Sequence, residues 1–267
     1  MARLDAELVR RGLARSRGEA RELIEGGLVL VDGRVARKPA TPAQESTPLT
    51  VSPDRPRWVG RAAHKLEHAF VTWGHRGLAA EGRTCLDVGA STGGFTQVML
   101  AHGAESVVAL DVGHGQLVAE IRDDPRVTDR SGMSIRDVGP DDLGTFDLVV
   151  GDLSFISLTL VLAPVAALAR EGADVVLLVK PQFEVGRGGL NKNGVVTDPR
   201  RRRQALTDVL GAASAAGLGV NGLERSPISG GEGNTEYLLW ARSGVSGTMD
   251  PDALTAAVRG LTTGGRP

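Results

Sequence analysis

Residues 85–117 read CLDVGASTGGFTQVMLAHGAESVVALDVGHGQL. An apolar run from Cys85 to Val88 meets a turn with glycines at 89, 93 and 94, and a second apolar run ends on Asp111. That order predicts a strand, a glycine turn, a helix and a second strand. Glycines at such a turn let backbone N–H groups crowd a ligand at the start of the helix. A dinucleotide site would show G-x-G-x-x-G, whereas this chain has D-x-G-x-x-x-G-G on Asp87, Gly89, Gly93 and Gly94. A carboxylate at the mouth of the turn repels a pyrophosphate and favours a positively charged ligand. Asp111 follows at about the twenty-residue spacing where a carboxylate takes ribose hydroxyls. Together the two acids point to S-adenosylmethionine, with its ammonium and sulfonium, rather than to a nicotinamide dinucleotide. The same residues also suit a tight strand–helix turn that holds no ligand.

Outward from this stretch the body keeps alternating. Strands are expected at 84–88, 106–111, 146–151 and 174–179, with helices at 93–102, 114–121, 157–170 and 200–217. Strands alternating with helices give an α/β fold, a mostly parallel Rossmann-like sheet with helices on both faces. A helix enters at 58–74, a final strand pair is expected near 219–226 and 236–242, and a terminal helix at 250–261. Residues 3–38 have a different pattern. Two short amphipathic helices, the second capped by Ser16 and closed by Gly26 and Gly27, lead into a hairpin turning at Asp32-Gly33. The proline-rich stretch KPATPAQESTPLTVSPDRPR (38–57) reads as a linker with a short strand at Leu49–Val51. The domains are therefore 1–38, a linker 39–60, a catalytic body 61–245, and a carboxy-terminal helix and tail 246–267.

Composition narrows the class. The chain has 267 residues, 41% hydrophobic and 24% charged, and a formal net charge of −1. That charge is divided: residues 1–65 carry 13 Lys/Arg against 8 Asp/Glu, and the remainder 18 against 24. A basic leading part on an acidic body suggests that the first part meets a polyanion. Its arginines at 10, 11, 15, 17 and 21 cluster on or between the first two helices, although charge alone also fits a solvated helix face. The single cysteine, Cys85, permits no intrachain disulfide and reads as a core residue. No signal-peptide core is present, and the longest apolar run (158–169) is too short to span a bilayer. A cytoplasmic protein with no membrane partner is expected. No metal-ligand spacing is found, so no metal is expected.

Three residues fall where this fold places chemistry, at the carboxyl edge of the parallel strands. FDLVVGD delivers Asp152, DVVLLVK delivers Lys180, and Glu236 in NTEYLLW starts a strand expected to run antiparallel, which returns it to the same edge. Lys65, on the entering helix, completes a Lys-Asp-Lys-Glu set. Methyl transfer to a hydroxyl needs an aligned acceptor and a group that orients it or removes its proton, and Lys180 suits that role with Asp152 and Glu236 holding the lysines. Taken singly, each reads first as a salt-bridged residue at a sheet edge. DLSF (152–155) has Leu153 and Ser154 where amino-methylating enzymes carry two prolines, which argues against base N-methylation. The glycine-rich loop after Phe183 reads as a mobile flap, followed by a helix that starts at Asp198-Pro199 and carries Arg200–Arg203.

RLDAELVRRGLARSRGEARELIEGGLVLVDGRVARKPA resembles the S-four-type RNA-binding module, and the body resembles the FtsJ-like ribose methyltransferases. With WVGRAAHKLEHA, DVGASTGGFT, ALDVGHGQL, DLSFISL, LVKPQFEVGRG, GVVTDP and NTEYLLW, the whole is similar to the TlyA family, haemolysin A-like 2′-O-methyltransferases that act on cytidines of rRNA. The resemblance implies a Rossmann-like S-adenosylmethionine-dependent methyltransferase sheet behind a small α+β RNA-binding domain. It places the family's catalytic tetrad on Lys65, Asp152, Lys180 and Glu236. The cofactor loop falls on Asp87, Gly89, Ala90, Ser91, Thr92, Gly93, Gly94 and Phe95, and the ribose-binding acid on Asp111 with Val112 beside it. Arg3 and Arg61 join Arg10, Arg11, Arg15, Arg17 and Arg21 as RNA contacts. The implied substrate is 16S and 23S rRNA in 30S and 50S subunits, acted on by a monomer, and the longer form of the family is associated with susceptibility to capreomycin and viomycin. The chain departs from the family at Trp58-Val59-Gly60-Arg61-Ala62-Ala63, where many relatives have Tyr-Val-Ser-Arg-Gly-Gly. It departs again at Arg130 to Arg136, where relatives often read Arg-Thr-Asn-x-Arg. The alternatives are a non-catalytic RNA-binding ribosome-assembly factor and a haemolysin-like lytic protein.

Overall fold

The computed structural model describes residues 2–25, 27–52, 58–230 and 232–263, and the chain divides into two compact units, 1–57 and 58–267. Gly26, residues 53–57 of the expected linker and the tail 264–267 lie outside the described residues, as does the side chain of Arg187.

In the first unit, β1 (Ala2–Arg3), α1 (Leu4–Arg10) and α2 (Arg17–Glu25) precede β2 (Val29–Val31), β3 (Arg34–Ala36), β4 (Pro42–Ala43) and β5 (Leu49–Val51). Leu4 and Leu8 of α1 and Ala20 and Ile24 of α2 pack with Val29, Ala36 and Ala43 into one small core. Ser16 Oγ accepts the Glu19 N–H (3.2 Å) and caps α2. The hairpin turns through Asp32 (φ 50°) and Gly33 (φ 76°), two consecutive left-handed residues that match the twist of the strands they join. The expected strand at 49–51 pairs with β2, and β4 pairs with β1. Both strands come from the proline-rich stretch, so residues 39–52, read as linker, are built into the first unit.

The second unit opens with α3 (Ala63–Trp73) and then builds one seven-stranded sheet. Its strands are β6 (Thr84–Val88), β7 (Ser106–Asp111), β8 (Val127–Ser131), β9 (Phe146–Gly151), β10 (Ala169–Val179), β11 (Leu218–Arg225) and β12 (Tyr237–Ser243). The order across the sheet is β11-β12-β10-β9-β6-β7-β8. β6 to β10 are parallel, and β12 runs antiparallel between β10 and β11. Between the strands lie α4 (Gly94–Ala101), α5 (Ala119–Arg122), α6 (Pro140–Leu143), α7 (Leu162–Leu168), α8 (Pro181–Glu184) and α9 (Pro199–Ala215), and α10 (Pro251–Thr263) follows β12.

Both faces of the sheet are covered, so its central strands are predominantly apolar. Along β10, Val176 and Leu178 pack with α3 and α4, while Val175, Leu177 and Val179 pack with α7, α9 and α10. β7 lies on one side of β6 and β9 on the other, so the strand order reverses at β6 and leaves a crevice at the carboxyl edge.

Several elements differ from the sequence reading, and β1, β4, α6 and α8 are short additions to it. The helix expected at 114–121 is confined to α5, because Gly113 and Gly115 break it and the Asp111 carboxylate holds Gly113 N–H (2.7 Å). The helix expected at 157–170 is a single 3-10 turn, Leu158–Leu160, followed by α7, which places Pro164 in the first turn where its missing N–H costs nothing. β8 was not expected at all.

Candidate active site

The glycine turn is shaped by two left-handed residues with close neighbours. At Gly89 (φ 84°) a Cβ would lie 3.4 Å from the Asp152 carbonyl oxygen, and at Gly93 (φ 96°) it would lie 2.9 Å from Ile121 Cγ2. Ser91 (φ 48°) is held by the Asp111 carboxylate, whose Oδ2 accepts its N–H at 2.8 Å. Gly89, Ser91, Asp111 and Val112 line a cavity of about 560 Å³ with Gln116, Met133, Ile135, Asp152, Leu153 and Phe155. A second space of about 240 Å³ is lined by Gly60, Arg61, Gly89, Ala90, Ser91, Thr92, Gly94, Phe95, Asp152, Ser154 and Lys180. The two spaces share Gly89, Ser91, Asp152 and Ser154 as walls.

Asp87 and Gly93 line neither space. Strand alternation turns Asp87 to the face of Cys85, under α4, where it is fully buried. There its Oδ2 accepts both the backbone N–H (2.8 Å) and the hydroxyl (2.7 Å) of Thr96. The helix N-cap, Gly93, offers no side chain, so Asp87 caps α4 from the neighbouring strand. Burial pushes its carboxyl up from 3.8 to about 7, against the Thr96 hydrogen bonds and with help from Asp152 and Asp111. The fold thus favours the protonated form. This contribution is full below pH ~4 and is lost as pH rises through about 7, a swing of about 4 kcal/mol. Asp87→Asn should flatten that part of the urea-unfolding profile. An unchanged difference between pH 4 and pH 8 would count against this role.

The four tetrad residues converge. Lys65 Nζ donates to Asp152 Oδ2 (2.9 Å) and Glu236 Oε2 (2.8 Å). Lys180 Nζ lies 2.6 Å from Asp152 Oδ1 at an angle poor for hydrogen bonding, and it donates to Ser154 Oγ at 2.8 Å. Gln182 Nε2 donates to Glu236 Oε1 (3.0 Å). Lys65, Lys180 and Glu236 are only 7%, 6% and 3% exposed. Asp152 follows β9, Lys180 follows β10 and Glu236 precedes the antiparallel β12, so all three sit at one edge, with α3 bringing Lys65 across. Burial alone would raise the Asp152 carboxyl, but the ammoniums of Lys65 and Lys180 hold it below its usual range. Burial likewise opposes the charge on Lys65, and Asp152 and Glu236 overcome it, raising its pKa. Lys180 lines the smaller of these two spaces, and Lys65 lines neither.

In the first unit the arginines are organised by acids. Arg3, Arg17 and Arg21 surround the fully buried Asp5 at 3.0, 3.5 and 3.3 Å, and all three guanidiniums remain half exposed. The Arg3 hydrogen bond foremost holds the Asp5 carboxyl well below its usual range, against burial. Arg10 and Arg11 share Glu7, whose carboxyl they lower to about 2. Arg11 also donates to the carbonyls of Gln44, Glu45 and Thr47, so it braces that turn. Arg15 pairs with Glu19. Arg61 belongs to the second unit, where it donates to the Ser229 carbonyl (3.3 Å) and lines the smaller space.

The loop read as a flap is fastened rather than free. Buried Asn234 accepts Val196 N–H (3.0 Å) and donates to the Gly194 carbonyl (3.0 Å). Arg201 donates to the Gly188 carbonyl and Arg202 to that of Val196, so two of the four arginines on α9 serve the loop. Sequence reasoning missed Ser154, Gln182, Phe155 and Glu184. Ser154 stood in view, as the residue replacing a proline of the amino-methylating motif.

The FtsJ-like methyltransferase family matches residues 58–243 and the S4 domain residues 2–47. The chain is 49% identical to the 16S/23S rRNA (cytidine-2′-O)-methyltransferase TlyA of Mycobacterium tuberculosis, over 96% of each chain. It is 37% identical to hemolysin A of Brachyspira hyodysenteriae, over 88% of this chain and 98% of that one. A solved structure from Streptococcus thermophilus, provisionally named a hemolysin, superposes with a TM-score of 0.72 at 36% identity, over 97% of this chain and 95% of that one. With the glycine turn, the Lys-Asp-Lys-Glu cluster and the leading arginine-rich domain in place, the chain belongs to the TlyA family of FtsJ-like methyltransferases.

Proposed function

We propose that this enzyme methylates the ribose 2′-hydroxyl of cytidine in ribosomal RNA, with S-adenosylmethionine as donor and both 16S and 23S rRNA, within 30S and 50S subunits, as substrates. The observation that carries the reading is Lys180 on the wall of the smaller space, backed by Asp152, Lys65 and Glu236.

The residues present suit the donor. The larger space has volume for a nucleoside, a carboxylate at its rim in Asp111, and apolar walls in Val112, Met133, Ile135 and Leu153. Asp111 would take the ribose hydroxyls, and the 89–95 turn would hold the amino-acid end. Bound there, S-adenosylmethionine supplies an electrophilic methyl group. Lys180 Nζ would orient the acceptor hydroxyl by hydrogen bonding and accept its proton as the methyl group is transferred, with the Asp152 carboxylate balancing the resulting ammonium. Asp152 fixes Lys180, and Lys65, kept charged between two carboxylates, fixes Asp152. A ribose fits this arrangement better than a base amine, because Leu153 and Ser154 replace the prolines that shape an amine-binding loop.

The first domain recognises RNA through phosphate, with the half-exposed Arg3, Arg17 and Arg21 gathered around Asp5 as candidate contacts. The M. tuberculosis relative's name supports both rRNA substrates. We read the enzyme as a cytoplasmic monomer, associated by its resemblance with susceptibility to capreomycin and viomycin. The test is transfer of labelled methyl to purified 30S and 50S subunits and to naked rRNA, with the product mapped by mass spectrometry. Label on a cytidine 2′-oxygen in both subunits is expected. Label on one subunit narrows the substrate. Label on a base, or none despite donor binding, overturns the reading, and the last would favour a non-catalytic assembly factor.

A further inference from the structure

Ser154 occupies the place of the second proline in the amino-methylating motif, two residues after Asp152 in the loop that follows β9. Its side chain is exposed to the crevice and lines both the larger and the smaller space, so it stands where the two meet. Its hydroxyl oxygen accepts a hydrogen bond from Lys180 Nζ at 2.8 Å. Among the described residues that nitrogen has one further oxygen beside it, Asp152 Oδ1 at 2.6 Å, which it meets at an angle poor for hydrogen bonding.

The two oxygens therefore do different work. A carboxylate close to an ammonium attracts it but, off the bond axis, sets its orientation only weakly. A well-aligned hydrogen bond is directional. An ammonium carries three hydrogens. Once one is lost, two N–H bonds and a lone pair remain, spread over the staggered positions about the Cε–Nζ bond. Two of those positions face the two oxygens, so the N–H bonds turn there and the lone pair takes the third. Lys180, Asp152 and Ser154 share the wall of the smaller space, which leaves that third direction for an acceptor held there. A proline at 154 would offer no oxygen, and the lysine nitrogen would keep only the misaligned carboxylate.

We propose that Ser154 is a positioning residue for Lys180, its hydroxyl turning the amine so that the lone pair faces the acceptor hydroxyl. In the transfer step that lone pair takes the hydroxyl proton while the oxygen takes the methyl group, and the electron pair of the broken S–C bond stays on sulfur. Asp152 balances the ammonium that results. The proposal rests on the reading of the enzyme as an RNA 2′-O-methyltransferase.

The test is methyl transfer by the full chain to ribosomal subunits, in steady state and in single turnover, with donor affinity by calorimetry and melting temperature alongside. Ser154→Ala should lower kcat by about tenfold, the scale of one hydrogen bond to a charged group, and leave KM for the RNA within about twofold. Ser154→Thr, which keeps the oxygen, should regain most of the loss. In a Lys180→Ala background Ser154→Ala should cost nothing further, because it acts through that nitrogen. Unchanged kcat in Ser154→Ala, a loss carried by KM, failure of threonine to recover it, or multiplying effects in the double variant would each overturn the proposal. A wild-type enzyme inactive on every RNA would reject the function reading instead. The Lys180–Ser154 bond is then read without RNA from nitrogen-15 spectra of lysine-labelled protein. There Ser154→Ala should speed hydrogen exchange at Lys180 Nζ, and unchanged exchange would overturn the positioning role.

Discussion

Lys180→Ala is expected to lower kcat for methyl transfer by about 10²–10⁴-fold, the range for a positioned proton-transfer group. Lys180 does not line the larger space assigned to the donor's nucleoside, so donor affinity should fall far less than kcat. The arginines around Asp5 and Glu7 lie in the other unit, so subunit binding should also persist. The fold tolerates the loss, since Asp152 keeps Lys65 as a partner at 2.9 Å. Lys180→Arg should not rescue, because a planar guanidinium cannot replace a compact ammonium. Single-turnover kinetics with saturating donor read the chemical step directly. A kcat within about threefold of wild type, far below the hundredfold minimum for such a group, would remove Lys180 from the mechanism.

Lys65→Met is expected to cost both activity and about 3–5 kcal/mol of stability, the penalty for breaking a buried ion pair from one side. Lys65 bridges two carboxylates at 2.9 and 2.8 Å, and without it Glu236 retains, among the described residues, the Gln182 amide. The deficit has a pH signature. Asp152 titrates below its ordinary range, so its pairing contributes above pH ~4 and is lost as pH falls through the lowered value. Lys65 titrates above its ordinary range, so its contribution is full below pH ~10 and fades only above that. The variant should therefore be weakest relative to wild type between those limits and recover part of the difference toward pH 3. Urea unfolding at pH 3, 5, 7 and 9 checks this. A deficit below about 1 kcal/mol, typical of exposed pairs, would show that the cluster is solvated in solution.

Much of this arrangement was legible in the sequence, for identifiable reasons. The apolar runs ending in Asp111, Asp152 and Lys180 are buried on both faces, so their lengths and polar ends stand out. The antiparallel β12 was anticipated as the second member of a final strand pair with β11, and that returned Glu236 to the catalytic edge. β8 was hidden because Val-Thr-Asp-Arg-Ser is an edge strand paired only to β7, with no second neighbour to demand apolar residues. Asp87 was assigned by motif position to the ligand, whereas strand alternation turns it beneath α4. Phe155 and Glu184 carried no signal, because neither a left-handed backbone nor a carboxylate accepting two donors is a property of residue type.

Cys85 is the chain's one thiol, on β6 in the interior of the sheet, fully buried, with burial pushing its pKa up to about 12. Alkylating reagents attack the thiolate, so a thiol in this state is unreactive until the sheet opens around it. The protein thus carries its own clock. The rate at which a maleimide consumes Cys85 measures how often the centre of the catalytic unit opens, independently of motions in the arginine-rich domain. Donor binding can be read as a slowing of that clock, with no substitution and no added dye.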